Sequence, residues 1–158
     1  MQLTLHTDYA LRMLLYLALR AKGATISEIA ERYNVSRNHL VKIAHALGKK
    51  GLIETTRGRA GGLHLAKPAA EINIGAVVRT MEPNFDIVEC FDKKRNECVI
   101  SSACELRRAL YEAQRAFLTT LDRYTLADLT ANSAQLGALL DKRPRTSARG
   151  TGRSRVNH

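Results

Sequence analysis

The stretch from Thr25 to Ala66 leaves a folding chain few options. Thr25 precedes Glu28 by three residues, the spacing of a helical capping box, and opens a short helix whose Ile29, Ala30 and Tyr33 point one way until Asn34 breaks it. Ser36 then caps a further helix in which Leu40, Ile43 and Leu47 recur at i, i+3 and i+7, and Gly51, after Lys49 and Lys50, supplies the left-handed stop that helices favour. Two short helices joined by three residues form a helix-turn-helix pattern. Directly afterwards, Leu52 to Thr56 and Leu63 to Ala66 read as two short strands around the basic, glycine-rich run Arg57-Gly58-Arg59-Ala60-Gly61-Gly62, which is the wing of a winged helix-turn-helix. Upstream, Leu11, Leu14, Leu15 and Ala18 mark one face of a helix expected to begin near Thr7 or Asp8 and to stop before Gly23.

Charge is distributed unevenly along the chain. The net formal charge is +10 over 158 residues; residues 1–67 carry 11 Lys/Arg against 4 Asp/Glu, residues 68–141 carry 8 against 11, and residues 142–158 carry 6 against none. The positive field therefore belongs to the first part and the tail, and a polyanion such as nucleic acid is the partner it favours. The middle, being acidic, does something else, so the chain divides into a reader and a controller. The tail has Val156 as its one bulky apolar side chain and is expected to be disordered, adding nonspecific attraction or solubility.

The length suits one compact domain with an arm, and 45% hydrophobic residues exclude disordered, collagen-like and disulfide-scaffold classes. Arg12 interrupts the apolar run from Leu11 to Leu19, which is too short to span a bilayer, and no cleavage signal follows it. Three cysteines, an odd number without an export signal, point to a reducing compartment and hence to the cytoplasm, with no membrane partner. No nucleophile–base pair stands out and there is no length for a substrate domain, so an enzyme or electron carrier is disfavoured.

Double-stranded DNA is the expected polyanion because Ser36, Arg37, Asn38, His39 and Lys42 lie at the N-terminal end of the second helix of the pair and off its apolar face. Donors placed there reach base edges and phosphates from the major groove. Arg57 and Arg59, on the hairpin tip, are placed to enter a neighbouring minor groove or hold its phosphates. The competing reading is that such charges merely solvate a surface. A mononucleotide site is a poor competitor, since the glycine run matches neither a phosphate-cradling P-loop nor GxGxxG.

All three cysteines, Cys90, Cys98 and Cys104, fall in one polar segment with seven and then five residues between them. Buried structural thiols are the ordinary alternative, but a loop containing Asp92, Lys93, Lys94, Arg95, Asn96 and Glu97 is not a core. Three thiolates on a loop suit soft metals. The lack of any CxxC leans away from structural zinc, whereas iron-sulfur clusters tolerate wider spacing and a non-cysteine fourth ligand. No histidine lies between His64 and His158 to complete a local site. After Cys104, the residues Leu106, Leu110, Ala113, Phe117 and Leu121 draw a stripe along a helix of about 17 residues, expected to pack against a second copy and form a homodimer rather than fold back on its own domain. Thr125, Leu126 and Leu129 suggest one further short helix closing the ordered part near Leu140.

Taken together, the segments LTLHTDYALRMLLYLA, VSRNHLVKIAHAL, RGRAGGLHLA and ECFDKKRNECVISSACELRRAL, followed by AFLTTLDRYTLADL, resemble the bacterial iron-sulfur winged-helix regulators from Leu3 to about Leu129, and within them the nitric-oxide-sensing branch. The resemblance implies a mainly α fold with a small β wing. Residues 1–67 would be the winged helix-turn-helix DNA-binding domain, 68–103 a connecting helix and cluster-binding loop, 104–141 a dimerisation helix with the short closing helix, and 142–158 a basic tail. It implies an iron-sulfur cluster on Cys90, Cys98 and Cys104 of each subunit of a homodimer, 4Fe-4S being favoured and 2Fe-2S staying open. Another branch completes the cluster with a histidine three residues past the last cysteine, where this chain has Arg107; in the nitric-oxide-sensing branch an aspartate of the first helix, supplied across the dimer, takes that place, and Asp8 stands at the matching position. A helix-start carboxylate paired with Arg12 at i+4 is the competing role for Asp8. The expected function is a transcriptional repressor that holds a two-fold DNA site and releases it when nitric oxide attacks the cluster. The alternative is a sensor of iron or cluster status, or of thiol oxidation, on the same architecture.

Overall fold

The computed structural model describes residues 2–56 and 61–142. Its elements in order are α1 (Leu5–Ala18), α2 (Ile26–Tyr33), α3 (Arg37–Lys49), the strands β1 (Ile53–Thr56) and β2 (Gly62–Leu65), then α4 (Ile74–Met81), α5 (Glu105–Leu121), α6 (Leu126–Leu129) and α7 (Ser133–Asp141), with 3-10 turns at Ala69–Glu71 and Glu89–Phe91. The fold is thus mainly helical with one antiparallel hairpin, whose register pairs Ile53 with Leu65 and Thr56 with Gly62. No helix among the described residues is long and apolar enough to cross a membrane.

α1 begins earlier than its own pattern suggests. Thr4 is the N-cap, its hydroxyl accepting from the Thr7 amide at 3.3 Å, while the Thr4 amide donates to the Glu82 carboxylate at 3.2 Å. A partner 78 residues away therefore sets the first turn. The buried face is also turned from the expected Leu11–Leu14–Leu15–Ala18 line: Thr7, Ala10, Met13, Leu14, Tyr16 and Leu17 are buried, whereas Leu11, Leu15 and Ala18 are half-buried. The cause is packing on several sides, because α1 meets α3, β2, α4 and α6.

The helix pair follows its caps closely. Thr25 accepts from the Glu28 amide at 3.1 Å, but the reciprocal half of the box is missing because the Glu28 carboxylate accepts from the Tyr16 hydroxyl at 2.6 Å instead. A tertiary hydrogen bond has taken the side chain from its local role. Burial, then that hydrogen bond, pushes the Tyr16 phenol above its ordinary pKa. Asn34 turns the chain in the left-handed region at φ 53°, and α3 follows three residues after α2 ends. α3 stops in a Schellman motif: Gly51, at φ 64°, donates to Gly48 O, and Leu52 donates to Leu47 O, both at 3.0 Å. Leu40, Ile43 and Leu47 are buried as their spacing requires.

The hairpin is held to the helices by an isolated bridge between Ala24 and Leu63, with amide–carbonyl distances of 2.8 and 3.1 Å. A Cβ at Gly62 would sit 3.0 Å from Ala24 O, so glycine permits the approach. Farther along, the Leu126 amide donates to Ile72 O at 2.8 Å and Ile74 N to Tyr124 O at 3.0 Å, which returns the chain after α5 to the same core and buries Leu126. Two closing helices follow α5 rather than one. α7 packs Leu140 against the core and pairs Asp141 with Arg20, a contact between residues 121 apart that has no local signature.

Gly75, buried near the start of α4, lies against the Asp122 carboxylate, which Arg79 holds through two hydrogen bonds, one of 2.7 Å; this guanidinium keeps Asp122 below the usual carboxylate range. Gly75→Ala would drive Cβ into that carboxylate and is expected to lower unfolding free energy by about 1–3 kcal/mol. In an Asp122→Ala background the same substitution should cost less than half as much by denaturant unfolding; equal costs in both backgrounds would refute the steric account.

Candidate DNA interface and thiol loop

The N-terminal end of α3 carries Ser36, Arg37, Asn38, His39 and Lys42, and all five are exposed. Ser36 occupies the N-cap position but makes no side-chain cap hydrogen bond, a departure from its expected role; the first turn is closed by the His39 and Leu40 amides donating to Ser36 O instead. Arg37 Nε donates to Ser27 Oγ at 3.2 Å, so the start of α2 orients the guanidinium at the start of α3. With Lys49 and Lys50 also exposed, this face of α3 is cationic and carries no acidic side chain. Arg57 and Arg59, expected on the wing tip, lie outside the described residues, as does the basic tail beyond Lys142.

Glu82 ends α4 and gathers donors from the first turn of α1: the Thr4 amide at 3.2 Å, the Thr4 hydroxyl at 3.1 Å, and the buried Thr7 hydroxyl. Asp8 follows at once. Its carboxylate takes two hydrogen bonds from Arg12, Nε at 2.9 Å and Nη2 at 2.7 Å, the i+4 pair. The pairing holds the Arg12 guanidinium still more firmly in its charged form. Arg12 in turn lies over the rings of Tyr9 and Tyr33, 5.6 and 5.9 Å from their centroids, and Tyr33 is the last residue of α2. Asp8 is thus linked through one guanidinium to the helix that precedes the turn into α3. Neither Glu82 nor Tyr33 is marked for these roles by its neighbours in sequence, since their partners are remote along the chain.

The cysteines occupy the stretch between α4 and α5. Cys90 sits in the 3-10 turn and is half-buried, Cys98 is exposed, and Cys104 is the N-cap of α5, its Sγ accepting from the Arg107 amide at 3.4 Å. All three thiols are free. Arg107 Nε donates to Cys90 O at 3.2 Å, so the residue standing where another branch has a histidine here ties the first cysteine's backbone to the helix that the last one caps. The buried Gln114 donates to Phe85 O, fixing the segment that leads to Cys90. Between loop and α5 lies a cleft of about 560 Å³ lined by Phe85, Phe91, Cys104, Arg107 and Tyr111. As a donor set, three free thiols on an irregular polar loop fit a soft metal or cluster. In the isolated chain they are not drawn together: among the described residues no three His, Cys, Asp or Glu side chains form a metal-binding group, and Asp8 is paired with Arg12.

A cationic recognition helix in a helix-turn-helix, joined to a thiol-bearing loop at the head of a long helix, defines a winged-helix regulator. Residues 3–132 match the Rrf2 family, described as iron-dependent transcriptional regulators, and the chain belongs to that family. It is 51% identical over 146 residues to the HTH-type transcriptional regulator NsrR of Halalkalibacterium halodurans, covering 91% of this chain and all of the relative. It is 55% identical over 145 residues to the NsrR of Geobacillus kaustophilus, covering 90% and 99%. In fold it resembles CymR, the global cysteine regulator of Bacillus subtilis, with a TM-score of 0.69 at 24% identity over 84% of this chain and 98% of that one.

The two N-cap positions differ in what they contribute to stability. Thr25→Ala is expected to cost about 1 kcal/mol of stability, and Ser36→Ala less than about 0.5 kcal/mol, because only Thr25 makes its cap hydrogen bond. Urea unfolding of the two variants checks this; equal losses would show that Ser36 caps α3 after all.

Proposed function

We propose that the chain is a homodimeric DNA-binding repressor that holds an iron-sulfur cluster and releases its two-fold operator when nitric oxide attacks that cluster. The observation that carries the reading is the pairing of three free thiols on one loop with a cationic helix-turn-helix, in a chain about half identical to NsrR regulators over nine-tenths of its length. Cys90, Cys98 and Cys104 would hold the cluster, with Asp8 as an oxygen ligand supplied across the dimer; 4Fe-4S is favoured over 2Fe-2S. When bound, the cluster supplies iron that nitric oxide attacks.

The rest falls to the chain's own side chains. Arg37, Asn38, His39 and Lys42 would meet bases and phosphates in the major groove, Ser36 a phosphate, and Arg57 and Arg59 the adjoining minor groove. Leu106 and Tyr111 on α5, with Val99 and Ile100 before it, are exposed apolar side chains suited to a second copy. Asp8 would leave Arg12 in order to ligate, and Arg12 bears on Tyr33, so a change at Asp8 reaches the end of α2 and through the turn reaches α3. A coupling of only roughly 2.7 kcal/mol between the cluster and DNA changes affinity a hundredfold. Winged domains in two copies also read two half-sites about one turn apart, which sets the two-fold operator. A repressor of this kind works where the DNA is, in the cytoplasm.

Anaerobic purification with visible absorption, iron and sulfide assays, followed by nitric oxide titration during operator binding, is the decisive experiment. The expected outcome is a coloured dimer that loses DNA as its absorption bleaches, with Cys98→Ala lacking both cluster and response. Release by peroxide or iron chelation but not by nitric oxide would give the role to a redox or iron-status sensor instead. For the interface, Arg37→Ala should cost about 1–3 kcal/mol on the operator and relax sequence preference, while Arg59→Ala weakens operator and random duplex alike. Equal losses on both DNAs for both variants would remove Arg37 as a base reader.

A further inference from the structure

One side chain on the outer side of α3 is unlike its neighbours. Arg37, Val41 and His45 follow one another at four-residue steps, which sets them in one row along the helix, with Asn38 and Lys42 in the row beside it. All five are exposed, and four of them are polar or charged. Val41 is apolar and 41% exposed, whereas Leu40 and Ile43, on the buried side of the same helix, are 2% and 1% exposed. It takes no part in the apolar cluster through which α3 joins the core. Helix formation does not account for it either, because β-branched valine is a poorer helix former than alanine, arginine or lysine.

The surroundings of Val41 narrow what can cover it. With Ile26, Ala44, Thr55 and Leu63 it lines a groove of about 350 Å³ where α3 faces the start of α2 and the hairpin. Arg37, Lys42 and Lys49 stand exposed around this groove, and α3 carries no Asp or Glu. An occupant complementary to it is therefore anionic at its edges and apolar where it meets Val41. The exposed apolar side chains suited to a second copy lie elsewhere, on α5 and the loop before it. Duplex DNA has the required pattern: phosphates flank a major groove in which the C5-methyl of thymine is the apolar group on the base edges.

We propose that Val41 is a specificity-determining residue that rests its methyl groups on a thymine C5-methyl, so that each half-site of the operator carries a thymine at the position Val41 meets. Arg37 and Lys42 hold the backbone or neighbouring base edges on either side, and the apolar contact selects by shape and desolvation rather than by hydrogen bonding. The proposal rests on the DNA-binding reading above and adds to it a feature of the operator's own chemistry.

The test uses the full-length protein, purified anaerobically, and a duplex that it selects from a randomised pool. That duplex is then resynthesised with each thymine in turn replaced by deoxyuridine, which removes the C5-methyl and leaves the hydrogen-bonding groups of the base in place. Affinities of the unaltered protein and of Val41→Ala are compared, after equal melting midpoints show that the fold is shared. The unaltered protein is expected to lose about fourfold for each half-site substituted at one symmetry-related pair of thymines, the factor that corresponds to one methyl group withdrawn from water. Val41→Ala should be weaker on the selected duplex and indifferent to the methyl at that pair, while its response at every other thymine stays as it was. Equal deoxyuridine losses in both proteins at every position would overturn the proposal, as would the absence of any loss in the unaltered protein. A Val41→Ala dimer that dissociates more readily, with the methyl response unchanged, would assign this face to a second copy and overturn it too. Failure of the unaltered protein to enrich any sequence from the pool would overturn the repressor reading together with the proposal, whereas selection without methyl sensitivity removes the role of Val41 alone.

Discussion

Burial of α1 on several sides is the constraint on which the other elements depend. Ala10, Met13, Leu14 and Leu17 are buried together with Thr7 and Tyr16, and the helix meets α3 and β2 of the head as well as α4 and α6 of the later half. Each large side chain fully withdrawn from water contributes on the order of 1.5–3 kcal/mol, so α1 joins the two halves into one core rather than bridging separate ones. The same helix bears Asp8 in its first turn and Arg12 in its second. Whatever moves its N-terminal end moves against a well-packed body, which transmits displacement instead of absorbing it.

Around that helix, polar contacts fix the two places where function would be decided. Glu82 anchors the turn that carries Asp8 and stands immediately before the segment leading to Cys90, so one carboxylate sets the position of an acidic side chain on α1 and the root of the thiol loop. Tyr16 and Glu28 tie α1 to α2, and Arg12 between Tyr9 and Tyr33 does so a turn earlier. The head is thus gripped by α1 at both ends of α2. A helix-turn-helix held in this way has little freedom of its own and is set by α1.

The head was legible in the sequence because its determinants are local. Caps at Thr25 and Gly51, the αL residue Asn34 and the i, i+3, i+7 spacing of Leu40, Ile43 and Leu47 are all decided within one turn of where they act. α1 was less so: its start at Thr4 depends on Glu82, and its buried face reflects neighbours on several sides, so the Leu11–Ala18 stripe named a helix but not its orientation. The missing half of the capping box has the same origin, since Tyr16 outcompetes a local amide for Glu28. α7 has no local signature, because Arg20, Arg32 and Asp141 meet only once the chain has closed. The thiol loop divides similarly. The cysteines' clustering is plain in the sequence, but their convergence is not a property of the loop alone.

That last point follows from the chemistry of the donors. Three thiolates close together repel one another, and free thiols have no mutual attraction to offset the entropy of gathering a loop. Cys104 instead does what a small polar side chain does at a helix start, accepting from the Arg107 amide, and Cys98 stays in solvent. Asp8 likewise satisfies its charge with Arg12. Each candidate ligand thus has a modest local arrangement that a metal would have to displace, and none is buried so deeply that displacement would unmake the core. A group bound there would therefore have to supply the free energy that gathers the three thiols, since the thiols themselves supply none.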